Sequence, residues 1–274
     1  MDKTTKKALL DTDFLFKTQL AQNECGEPLA DLILQFEGYD FFCHEKILDE
    51  LRFHGFSPNP LSWLEKNIHL GKIIMYLDRM ILDEITSLFG MGATRFYFDM
   101  LKMSCDAFKK PSEKSFFETY YQSLSDLSDD VELEQFLLTL FGCDSAIPNG
   151  NSMGEKKSLV LAQLMHLKYP GKVVVFCSDD GKARQHVAYI GNHIRCLSVL
   201  SAFQKLQTDG LEKEIARQYY DSLCDFLSNH NQNSMKVWTH STPEKISVGF
   251  QKLFEDIYGG KFEIKGTGDL RYKE

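Results

Sequence analysis

One run constrains this chain more than any other: Lys172-Val173-Val174-Val175-Phe176-Cys177, followed at once by Ser178-Asp179-Asp180-Gly181. An unbroken β-branched and aromatic stretch without polar alternation suits a central parallel strand covered on both faces. Tyr169-Pro170-Gly171 in front of it is a turn, and a helix is expected to begin near Lys182. Ala8-Leu9-Leu10-Asp11-Thr12-Asp13-Phe14-Leu15-Phe16 reads as a short buried strand that carries acids, and Tyr39-Asp40-Phe41-Phe42-Cys43 as a second strand.

Between and after these runs the apolar spacing is helical. Helices are expected over 27–38, 44–54, 155–168, 199–207, 212–227 and 243–258, with a short glycine-bounded strand over 261–265. Ser57-Pro58-Asn59-Pro60 is a breaker cluster, and from 61 to about 141 the pattern is helical nearly throughout, including Ile73-Ile74-Met75-Tyr76-Leu77. Residues 147–154 form a loop by composition, and 229–234 a polar linker. Strand–helix alternation at both ends with helices between them implies an α/β domain carrying a long helical insertion. The expected division is a domain over 1–225, its insertion at about 56–146, and an extension over 226–274 that matches no pattern.

Composition narrows the functional classes. The chain has 274 residues, 43% hydrophobic and 26% charged, enough to bury a core without staples. Seven scattered cysteines include no Cys-x-x-Cys pair, which excludes a zinc ribbon and fits reduced thiols in the cytoplasm. The N-terminal apolar run is broken by Asp11 and Asp13 and lacks the apolar core expected of a secretory leader, and no stretch reaches the ~20 apolar residues of a membrane span. With 31 basic against 39 acidic residues, the net charge of −8 argues against a general nucleic-acid coat. It leaves open a site at which metal-held carboxylates meet a phosphate.

Two expected strands end in acid pairs, Asp11 with Asp13 and Asp179 with Asp180. In an open parallel sheet, ligands bind beyond the carboxyl ends of the strands, so the pairs can converge. Crowded carboxylates repel unless a cation neutralises them, and all-oxygen ligands select magnesium or manganese. Each acid also has a bland alternative, since Asp at a strand–helix junction commonly caps the helix. His44-Glu45 lacks the second histidine of a zinc-protease motif, and His44 reads as a surface residue, while His186 and His193 read as core or surface residues and not as ligands. Phe96, Tyr97, Phe98, Phe116, Phe117, Tyr120 and Tyr121 have the chemistry to stack bases, but at helical spacing they read as core.

The acids lie in surroundings that resemble the PIN-domain nucleases. Leu9-Leu10-Asp11-Thr12-Asp13 looks like that family's opening strand, and Ile47-Leu48-Asp49-Glu50-Leu51 like its second acidic position. Gly154-Glu155 is similar to the Gly-Glu form of its third position, and Phe176-Cys177-Ser178-Asp179-Asp180-Gly181-Lys182-Ala183-Arg184 to its Thr-Asp-Asp-x-x-Ala-Arg ending. The resemblance spans roughly 5–55 and 147–225, and the order of the four blocks carries most of it. The chain departs in having Asp13 where Asn or Ser is usual, Ser178 for Thr, and a far longer insertion.

The resemblance implies a three-layer α/β/α fold with a central, mostly parallel sheet. It also implies a metal-dependent endoribonuclease. Asp11, Glu50, Glu155 and Asp180 would be catalytic and, with Asp179, would hold Mg²⁺ or Mn²⁺. Asp13 and Ser178 would support them, and Lys182 and Arg184 would bind phosphate. RNA is the implied substrate, with an antitoxin-like or other protein as a further partner. A PIN-derived scaffold without activity that binds a protein is the alternative. The apolar surplus of the insertion (Ile73, Ile74, Leu77, Met80, Ile81, Leu82) suggests a homodimer contact or a groove wall.

Overall fold

In the computed structural model the described residues are 5–55, 60–90, 92–108, 114–127, 131–151, 153–190 and 194–274. The elements run β1 (Lys6–Leu10), α1 (Thr12–Leu20), α2 (Leu29–Ile33), β2 (Tyr39–His44), α3 (Glu45–His54), α4 (Leu61–His69), β3 (Ile73–Tyr76) and α5 (Asp78–Phe89). There follow α6 (Ala93–Ala107), α7 (Phe116–Tyr120), α8 (Gln122–Ser125), α9 (Leu133–Ala146), α10 (Met153–Lys168), β4 (Val174–Cys177), α11 (Gly181–Ile190) and β5 (Ile194–Leu197). The chain ends with α12 (Val199–Thr208), α13 (Lys213–Asn229), β6 (Ser234–Trp238), β7 (Lys245–Gly249), α14 (Phe250–Tyr258), β8 (Phe262–Ile264) and β9 (Leu270–Tyr272).

Strands β1 to β5 form an all-parallel sheet in the order β3-β2-β1-β4-β5, and helices cover both faces. The fold is a three-layer α/β/α arrangement. The period-two alternation of each strand decides which layer it feeds. Ala8, Leu10, Phe41, Cys43, Val175 and Cys177 face one core, which reaches through α1 to α4 and α12 to α14. Leu9, Phe42, Val174 and Phe176 face the other, built on α5, α6, α10 and α11.

Several elements differ from the sequence expectation. The strand over 8–16 stops at Leu10. Asp11 takes extended backbone angles and Thr12 opens α1, so Phe14 and Leu15 are buried from a helix. Ile73-Ile74-Met75-Tyr76 is the edge strand β3, paired with Phe41 to His44, and not part of a helical insertion. A four-residue apolar run has no resolvable period, so only its pairing partner decides its state. The helical run is therefore α5 to α9. Its Ile81 and Leu82 are fully buried beside Leu9 and Phe42, so these helices are one layer of the fold. The helix over 27–38 shortens to α2, and the one over 243–258 divides into β7 and α14. The breaker at 57–59 and His193 lie outside the described residues.

Residues 226–274, the C-terminal extension, pack onto the rest of the chain. Strands β6 to β9 form a second sheet in the order β7-β6-β9-β8, and Val237, Leu253, Phe254 and Phe262 share a core with Leu10 and Phe14. The loop at 266–268 closes on β5: the Cys196 amide donates to the Gly266 carbonyl at 2.9 Å. Gly268, at φ +73°, lies so near Cys196 that a Cβ would meet its backbone at 2.8 Å. No helix among the described residues is long and apolar enough to cross a membrane.

Candidate active site

Parallel strands place all their carboxyl ends on one edge, and β1 lies between β2 and β4. Leu10 pairs with Cys177, so Asp11 and the Ser178-Asp179-Asp180 turn emerge side by side. Glu50 comes from α3, which follows the neighbouring β2. Helix α10 runs back before β4, so its start, with Gly154 and Glu155, returns to the same edge. That geometry brings all four acidic blocks of the sequence together.

The Glu50 carboxylate is fixed on both oxygens. Thr12 Oγ1 donates to Oε2 at 2.6 Å, and the Gly154 amide donates to Oε1 at 2.7 Å. This explains the glycine: a Cβ on residue 154 would meet Glu50 Oε2 at 2.5 Å and Ile47 at 2.7 Å. Only a residue without a side chain lets the start of α10 close onto α3.

Asp11 is different. It is 1% exposed, it precedes α1 without capping it, and neither carboxylate oxygen has a hydrogen-bond partner. Burial, then the charges of Glu155 and Glu50, push its carboxyl well above the usual carboxylate range. The capping alternative therefore fails for Asp11.

It succeeds for the other pair. Asp180 Oδ1 accepts the Lys182 amide at 2.7 Å and the Ala183 amide at 3.2 Å, capping α11. Asp179 Oδ1 accepts the Val199 amide at the start of α12 at 3.1 Å, and its Oδ2 accepts from Lys17 Nζ at 2.5 Å. Lys17 also lies 3.7 Å from Asp13. Burial works against the Lys17 charge, but Asp179 and Asp13 hold its ammonium above the ordinary lysine value. Ser178 is fully buried, and its hydroxyl accepts the Asp180 amide at 3.2 Å.

The two basic candidates separate. Lys182 is exposed in the first turn of α11. Arg184 is not a phosphate ligand at the surface. It is 6% exposed and its guanidinium donates to the Thr267 and Ser178 carbonyls and to Asp269, all at 2.9 Å. It ties the second sheet to the Ser178 turn. Beside it a cleft of about 440 Å³ is lined by Lys17, Asp179, Lys236 and Lys245, among others.

A second polar cluster at this edge was not anticipated. His44 is fully buried, not a surface residue. Its Nδ1 accepts the Lys46 amide at 3.2 Å, so Nε2 carries the proton shared with Asp78 Oδ1 at 3.2 Å. Asp78 also accepts from Tyr97 and from Lys157 Nζ, the latter at 2.8 Å. Lys157 reaches Asp144 at 3.2 Å, and Tyr121 donates to Asp144 at 2.7 Å. Burial would raise Asp78, but the Lys157 ammonium and His44 hold it well below the usual carboxylate range. Among the described residues, His44, Glu45 and Asp78 are the one triad with ligand atoms within 4.8 Å of one another. Both His44 nitrogens and both Asp78 oxygens are already engaged, so this triad is a structural knot.

Asp11, Glu50 and Glu155 do not form a group of that closeness. Thiol chemistry finds no support in the buried cysteines: burial pushes Cys43, Cys105, Cys196 and Cys224 up to about 12. Tyr97, Phe98, Phe117 and Tyr121 are buried core residues and not base-stacking platforms. Comparison with protein families, curated proteins and solved structures finds no match to this chain.

Proposed function

We propose that the protein is a metal-dependent nuclease that hydrolyses RNA phosphodiester bonds at the Asp11 edge of the parallel sheet. One observation carries this reading: a buried carboxylate with two unpartnered oxygens, next to two more carboxylates. Such a group demands either a proton or a cation, and an all-oxygen donor set fits Mg²⁺ or Mn²⁺. Asp11, Glu50 and Glu155 would hold the ion, with Asp180 and Asp179 beside them. When bound, it would lower the pKa of a coordinated water and offset charge on the phosphodiester.

The remaining contributions belong to the chain. Thr12 and the Gly154 amide orient Glu50. Ser178 and the Arg184 clamp fix the turn that presents Asp179 and Asp180. Lys182 supplies an exposed positive charge at the start of a helix, a favourable place for phosphate. The cleft beside Lys17 offers an extended strand a route to the acids.

A second reading is an inactive scaffold that binds a protein partner. The engagement of Asp179 by Lys17 and of Asp180 by two amides favours it. Purified protein with Mn²⁺ and single-stranded RNA decides between them. Cleavage is expected, with the rate reduced at least ~100-fold in Asp11→Asn. Wild type that binds Mn²⁺ yet leaves several RNAs intact supports the scaffold.

A further inference from the structure

The acids at this edge divide into two halves with opposite charge balance. In one, every carboxylate has a charged or amide partner. Lys17 Nζ donates to Asp179 Oδ2 at 2.5 Å and lies 3.7 Å from Asp13 Oδ2. The Val199 amide meets Asp179 at 3.1 Å, and two amides meet Asp180. In the other half there is no such compensation for Asp11: it is 1% exposed and both its oxygens are unpartnered. Glu50 beside it accepts from the neutral Thr12 hydroxyl and Gly154 amide, with the Lys156 charge nearby but no lysine ammonium at hydrogen-bond distance among the described residues.

The cause of the division lies in α1. Because that helix opens at Thr12, Asp13 and Lys17 stand one turn apart on one face, and the ammonium falls between Asp13 and Asp179. A divalent ion at Asp13 and Asp179 would share these carboxylates with an ammonium already at hydrogen-bond distance, and like charges oppose that. We propose, on the metal-binding reading of Asp11, that Lys17 is a built-in cation standing where a second divalent ion would otherwise bind. The protein then takes up one divalent ion, at Asp11, Glu50 and Glu155, and removal of the Lys17 charge opens a second site at Asp13 and Asp179.

Counting bound Mn²⁺ per chain, by electron paramagnetic resonance of the free ion during titration, tests this without reference to catalysis. One ion is expected for wild type and for Lys17→Arg, and two for Lys17→Met. Asp11→Asn should weaken the single ion at least tenfold, whereas Asp13→Asn should leave its affinity within twofold. The Asp13 comparison stands even if Lys17→Met fails to fold. Two ions in wild type overturn the role of Lys17 and leave the metal-binding reading intact. No ion in wild type overturns both. An unchanged count of one in folded Lys17→Met, or a tenfold loss in Asp13→Asn, also overturns the proposal.

Discussion

Two clusters of acids sit at the same edge of the same sheet, and their buried members Asp78 and Asp11 are balanced in opposite ways. Around Asp78 and Asp144, each carboxylate is met by Lys157 and a tyrosine hydroxyl, and His44 completes the set. Around Asp11 the Lys156 charge acts on Glu155 and Glu50, but among the described residues the two buried oxygens of Asp11 itself have no hydrogen-bond partner. Burying a charge is unfavourable unless it is paired. The first cluster is therefore complete in itself and joins α5, α6 and α9 to α10. The second holds the unpartnered Asp11 carboxylate, and it is there that the proposed ion would bind. Saturation separates a structural knot from a place for a ligand better than the number of acids does.

The largest break in that contrast is Lys157→Met. It would leave Asp78 and Asp144 buried without their ammonium, and loss of one partner of a buried pair costs about 3–5 kcal/mol. The urea midpoint reads it directly. On the same measurement Asp11→Asn, in chelator at neutral pH, should raise stability because it removes an uncompensated buried charge. A loss in Asp11→Asn as large as in Lys157→Met would erase the distinction between the clusters.

Gly154→Ala is next in size. The added Cβ must displace Glu50 or Ile47, and overpacking of this kind costs about 1–3 kcal/mol. It should also abolish any Mn²⁺-dependent rise in melting temperature, since Glu50 loses its Gly154 anchor. Retention of the full metal shift would remove Glu50 from the ligand set.

The pH dependence gives the two clusters opposite signs. Asp78 is held below its unfolded value, so its contribution is complete above the ordinary carboxylate range and is lost as pH falls through it. Asp11 is raised, so the ion-free folded state binds more protons than the unfolded chain, and stability falls as pH rises above that range. Melting curves in chelator should decline from pH 5 toward pH 8 in wild type and flatten in Asp11→Asn. Equal slopes in the two proteins would contradict the assignment.

The smallest effect belongs to Lys182→Ala. As an exposed helical substitution it should change the unfolding free energy read by urea by no more than about 0.5 kcal/mol. If the side chain meets phosphate, it should still raise KM for RNA while leaving kcat unchanged.

Local chemistry made much of this legible in advance. The Val174–Cys177 strand announces itself by its unbroken apolar run, and the acids announce themselves by following strands. The turn glycine at 171 and the helix period of α10, α12 and α13 are likewise properties of neighbouring residues. Short elements were harder. Ile73–Tyr76 has no period of its own to distinguish strand from helix, and α1 hid behind the strand it follows, which concealed the Asp13 and Lys17 pair.

What the sequence by itself determined is therefore the alternation of strand and helix and the convergence of the Asp11 and Asp179–Asp180 strand ends on one edge, because parallel strands share a direction. The state of each acid was decided only by tertiary contact. Lys17 neutralises Asp179 from 162 positions away, Lys157 reaches Asp78 across 79, and Thr12 holds Glu50 across 38. Charge balance is a property of distance in space and of exclusion from water. A chain read in one dimension shows which carboxylates exist, and the packed structure alone shows that, among the described residues, Asp11 is the buried carboxylate left without a hydrogen-bond partner.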